Sequence, residues 1–159
     1  MTEAAQNGDR RTRTQTVIEE LLSERQEMLV RYCEVAGLQP YTDDKPVQAK
    51  LQEFCQIMVD YFALGHFEVF ERITRGDERR QAVADIAKQL YPRIEEATSI
   101  AVAFNDKYAS DEQCQVLDGL ERDLSELGEI LATRVELEDQ LLFTLLARPA
   151  REKNVAAEA

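Results

Sequence analysis

The sequence predicts an all-α fold: an antiparallel up-down bundle of four long helical segments, one of them broken at Pro92. Three observations carry that prediction. Six glycines, four prolines and no tryptophan in 159 residues leave few turns and many helix formers. Apolar residues recur at helical spacing over long stretches, most clearly at residues 54–73. No run alternates apolar and polar residues over a useful strand length, and no internal repeat recurs at a fixed period. A chain of this size buries roughly 70% of its unfolded surface, so one domain over 15–148 needs neither disulfide nor metal.

Residues 1–14 are polar and mixed in charge, and are expected to be flexible. A first helix is predicted from about Thr16 to Ala36, stopped by Gly37 with Pro40 beyond. Its apolar arc holds Val17, Ile18, Leu21, Leu22, Met28, Leu29, Tyr32 and Val35, with Arg25 near the centre. Residues 37–45 form a turn-rich link. Pro46 suits the first turn of the second helix, where its missing N–H costs nothing, and that helix is predicted to run to about Thr74. A turn at 75–78 leads to a third helix from Glu78 to Leu90, interrupted or bent by Pro92 and resumed from Arg93 to Tyr108. Ser110 and Gln113 form a capping box for the last helix, predicted from Asp111 to Ala147, with Gly119 or Gly128 as places to bend. Pro149 ends it, and the charged, Ala-rich tail over 149–159 is expected to be flexible.

Within 54–73, FCQIMVDYFALGHFEVFERI, 14 residues are apolar (Gly65 included), four are charged and one is the chain's only histidine. Stepped at about 100° per residue, Cys55, Met58, Val59, Phe62, Val69, Phe70 and Ile73 share a core arc, as does His66. Roughly opposite, Asp60, Leu64, Phe67 and Glu71 follow at i, i+4, i+7 and i+11. That face sets an aromatic among carboxylates. Burial against another helix is one reading of Phe67; an anchor for a partner, with Asp60 and Glu71 selecting basic groups at its rim, is the other. Gly65 falls on the core side, where a neighbouring helix can approach closely or a kink can form.

The formal net charge of −12 disfavours nucleic acid, whose phosphates require a basic surface, and favours either a basic protein partner or simple solubility. Cys33, Cys55 and Cys114 are odd in number and widely spaced. Cys33 and Cys55 lie on apolar arcs and read as buried thiols in a reducing compartment, not as a disulfide framework. The N-terminal stretch has no apolar run of a signal peptide, and nothing approaches a membrane span. The expectation is a soluble, cytoplasmic protein, a monomer or weak dimer, with no membrane contact.

Four polar side chains fall where a bundle buries its surface: Arg25, His66, Arg134 and Glu138. Arg134 and Glu138 lie four residues apart inside the stripe of Leu124, Leu127, Leu131, Val135, Leu142, Leu145 and Leu146. Buried charge is costly unless paired, so these groups either form an internal network or line a cavity open to water. A small helical enzyme with an Arg/Glu-lined anion pocket is an alternative, although no nucleophile–base pair is visible. Metal is rejected: dimetal and hemerythrin-like bundles need several histidines, and in HFEVFE, which superficially resembles a hemerythrin motif, Phe70 stands where a carboxylate belongs. No phosphate loop or dinucleotide fingerprint is present, and no cofactor is expected.

The stretches FCQIMVDYFALGHFEVFERI and TRVELEDQLLFTLL (Thr133 to Leu146) carry a resemblance. The first follows an FCQxLVDYxSAGHFxxYExL-like pattern, with VDYxxxGHF its distinctive part; the second follows an ARFxLEDxL-like run through Arg134, Leu137, Glu138, Asp139 and Leu141. By these residues, and by alignment of nearly the whole length, the chain resembles the regulator of sigma D (Rsd)/AlgQ family. It departs at Glu19–Leu22, where an Asp-Arg-Trp-Leu-like sequence is usual. The resemblance implies a non-enzymatic, all-helical anti-sigma factor that binds the primary sigma factor at its C-terminal region 4. Binding there hinders engagement of core polymerase and of the −35 promoter element. It implies further partners in some members, a sugar-transport phosphocarrier protein or a stringent-response enzyme. Carried over by motif, Asp60, Leu64, His66, Phe67, Phe70 and Glu71 form the partner-binding region, while Arg25, His66, Arg134, Glu138 and Asp139 form an internal polar network or cavity.

Overall fold

The computed structural model of the chain describes residues 3–42, 44–74, 80–109 and 117–146. These form α1 (Glu3–Ala36), α2 (Val47–Gly65), a π-helical turn (His66–Phe70), α3 (Glu71–Thr74), α4 (Gln81–Tyr108) and α5 (Leu120–Leu146). The fold is the expected all-α bundle. Cross-links between elements define its up-down order. Tyr32 reaches the Leu124 carbonyl and Arg25 reaches Glu138, which sets α1 antiparallel to α5. Lys107 pairs with Asp123 while Arg134 meets Thr98, which sets α4 antiparallel to α5. Lys50 and Glu34 join α2 to α1, and the Phe54 and Phe104 rings meet edge to face between α2 and α4.

The core follows a narrow seam on each helix. On α1, Ile18, Leu21, Met28 and Val35 are buried, with Arg25 and Tyr32 half-buried between them. On α5 the seam is Leu124, Leu127, Leu131, Arg134, Glu138, Leu141 and Leu145. Both step by alternate threes and fours, the spacing that keeps one edge of a helix against its neighbours. The broader arcs expected from the sequence are trimmed accordingly: Leu22, Leu29 and Leu146 are exposed. Fully buried Leu and Met side chains such as Leu21, Met28, Leu51 and Leu127 each contribute roughly 1.5–3 kcal/mol. Gly128 leaves room for Tyr32, whose hydroxyl donates to the Leu124 carbonyl at 2.8 Å and whose ring meets Phe54.

Three helix limits and the burial of one cysteine differ from expectation. The first helix begins at Glu3, not near Thr16: the polar segment continues the helix, and Thr12 and Thr16 return their hydroxyls to carbonyls one turn back. Helix α4 runs unbroken through Pro92. Pro92 and Lys88, the residue whose carbonyl loses its donor, are both exposed, so water can replace the missing bond. Gly119 does not bend the last helix; at φ 84° it makes the turn before α5, which begins at Leu120. Cys33, expected to be buried, is exposed, whereas Cys55 is buried as expected. The capping box at Ser110 and Gln113, Cys114 and the tail over 149–159 lie outside the described residues.

The π turn is the largest local departure. The Glu71 N–H bonds back to the His66 carbonyl, one residue farther than in an α-helix. A regular helix would stack His66 over Phe62, in the core. His66 still follows Phe62 by one regular turn, and the extra residue is absorbed after it; His66 is exposed because that arc opens there onto a cavity. Its neighbours Val69 and Phe70 remain buried.

Candidate functional site

Two arrangements share the π turn, one on the surface and one beneath it. On the surface, Phe67 is 59% exposed, the most exposed aromatic of the α2–α3 region. Its ring meets the exposed His66 ring edge to face, with centroids 4.9 Å apart. Asp60 and Glu68 are exposed beside it, and Leu64 and Glu71 are half-buried. Asp60 is steadied by a hydrogen bond from Gln56 at 3.1 Å. The patch therefore offers an aromatic ring among carboxylates. Phe70 does not belong to that surface; at 1% exposure it supports the patch from below. Glu68 was missed by sequence reasoning, because periodicity alone put it outside both faces.

Beneath lies a buried ionic network. Arg134 and Glu138 are 1% and 0% exposed, and the Arg134 Nε lies 3.5 Å from the Glu138 Oε2. Tyr61 donates its hydroxyl to the same Oε2 at 2.7 Å. Arg25 donates to Glu138 Oε1 at 3.3 Å and to the exposed Asp139 at 2.6 Å. The Arg134 Nη1 donates to the Thr98 hydroxyl at 3.2 Å. Its guanidinium carbon sits 4.3 Å from the Phe62 ring centre, 5.4 Å from Phe70 and 5.6 Å from Tyr61. Planar guanidinium suits such a cage better than an ammonium would. Burial pushes the Glu138 carboxyl up, opposed by Arg134, the Tyr61 hydroxyl and Arg25. Burial and the adjacent Glu138 push the Tyr61 hydroxyl up as well, so it remains a proton donor.

The structure thus brings together Arg25, Arg134, Glu138 and Asp139, and leaves His66 outside that network. Tyr61 and Thr98 were missed: each reaches the network from a different helix, and neither stands out on its own face. Gly65 has a definite role. A Cβ there would lie 2.8 Å from the Arg134 Nη2 and 3.5 Å from Leu21. Moving the guanidinium away would disturb its contacts with Glu138, Thr98 and the Phe62 ring. Gly65→Ala is therefore expected to destabilise the protein by about 1–3 kcal/mol, against the usual helix-propensity gain, as read from the urea midpoint.

Among the described residues no group of three or more His, Cys, Asp and Glu could hold a metal ion, and no helix is long and apolar enough to cross a membrane.

Comparison with known proteins bears on this arrangement. A family model described as "Regulator of RNA polymerase sigma(70) subunit, Rsd/AlgQ" matches residues 1–146. A protein of Yersinia pseudotuberculosis named "Regulator of sigma D" is 34% identical over 133 residues, covering 79% of this chain and 77% of that protein. Its namesake in Yersinia enterocolitica is 34% identical over 133 residues, covering 79% and 78%. Another of that name in Enterobacter sp. is 32% identical over 150 residues, covering 90% of each chain.

Proposed function

The chain belongs to the Rsd/AlgQ family of regulators of the RNA polymerase sigma(70) subunit, and from that premise we propose that it is a stoichiometric, non-catalytic anti-sigma factor. Its target is region 4 of the primary sigma factor, the promoter-reading domain, which it occludes from core polymerase and from the −35 element. The observation that carries this reading is the 59% exposure of Phe67 beside Asp60 and Glu68. An exposed aromatic bordered by charges has the make-up of a binding hot spot. Region 4 is a basic helix-turn-helix module, so the acidic rim and the net charge of −12 favour encounter and set orientation. Phe70 and the caged Arg134 hold the π turn from within, so the docking face is presented rigidly and loses little freedom on binding.

Calorimetric titration of the protein with purified region 4 tests the reading. One-to-one binding supports it, and no heat of binding at micromolar concentrations overturns it. Asp60→Asn is expected to weaken that binding several-fold at low salt and to make the salt dependence shallower, because a rim charge is screened by ions. An unchanged salt slope would remove Asp60 from the interface.

A further inference from the structure

A cavity of about 460 Å³ opens between the π turn and the middle of α4, within the usual size of small-molecule sites. Arg134 forms part of its wall, and the Arg134 Nη2 is buried with no hydrogen-bond partner among the described residues. Two nearby oxygen acceptors are already committed. The Thr98 hydroxyl donates to the Ile94 carbonyl at 2.9 Å and accepts from Arg134 Nη1. Glu138 is held by Tyr61 and Arg25. A buried guanidinium with donors to spare, fixed between aromatic rings, is prepared for one more acceptor. Phe70, Tyr91 and Ile94 give the cavity an apolar side, while the exposed Glu95 and Glu96 place carboxylates on its lining. Those carboxylates repel a simple anion and attract an ammonium.

We propose that this cavity binds a free α-amino acid, its carboxylate on Arg134 and its ammonium toward Glu95 and Glu96. The cavity meets the Phe67 surface at His66, which lines it, but its test needs no sigma factor.

The standard amino acids, each at millimolar concentration, are added singly to the full chain and the Tm is followed by fluorescence. At least one is expected to raise the Tm by about 2 °C or more. Its primary amide and its N-acetyl derivative, which mask one charge each, are expected to give no shift. Ser99→Phe narrows the mouth from an exposed position and is expected to abolish the shift. Should that variant not fold, Glu95→Gln with Glu96→Gln is expected at least to halve it. A panel without any shift, an amide as effective as its acid, or a shift that survives these substitutions overturns the proposal.

Discussion

Replacing Glu138 by Gln is expected to cost about 3–5 kcal/mol of stability, the largest loss from any single change in the ionic network. The substitution keeps the shape of the side chain but removes its charge. Arg134, 1% exposed, is then left without its only ion-pair partner among the described residues, whereas Arg25 retains Asp139 at 2.6 Å. A buried charge with no counter-charge is what the interior tolerates least. The double variant Arg134→Met with Glu138→Leu removes both charges in similar volume and is expected to recover most of the loss. Asp139→Asn, at a half-exposed position, is expected to change stability by less than about 1 kcal/mol. Urea unfolding, with the midpoint shifted at constant slope, measures all three. A Glu138→Gln protein as stable as its parent would show that the network contributes no net stability through charge.

Phe67→Ala is expected to weaken binding to region 4 by about 2 kcal/mol or more, roughly 30-fold, while leaving the urea midpoint almost unchanged. The two halves of that expectation come from the same fact: a ring 59% exposed has little to lose on folding and much to bury on docking. Calorimetry and unfolding on one preparation separate them. Undiminished affinity would dismiss the ring as an anchor, and a collapse in stability would show that it serves the bundle instead.

Much of this was legible in the linear chain, for identifiable reasons. The seams of α1 and α5 could be traced because their spacing is regular. Arg134 and Glu138 stood out because two charges one turn apart interrupted a leucine stripe. His66 was misplaced because the arc it shares with Phe62 opens onto a cavity, which no residue type announces. Pro92 was read as a break because the rule assumes the orphaned carbonyl has nowhere to turn; on an exposed face it has water. Tyr61 and Thr98 could not be assigned as partners of the charged pair, since only folding brings their hydroxyls to it. The proposal of Phe67 as an anchor rests on its opposition to the core arc and its acidic company; the structure leaves the ring exposed.

The π turn divides labour along one continuous rod. Upstream of it, α2 lies against α1, against α4 and against the guanidinium that needs Gly65; downstream, α3 lies against α4. A supernumerary residue absorbed between them lets the two halves keep separate angular phases. Substitutions on the outward bulge can thus change the exposed ring and its charged neighbours while both halves stay seated in the bundle.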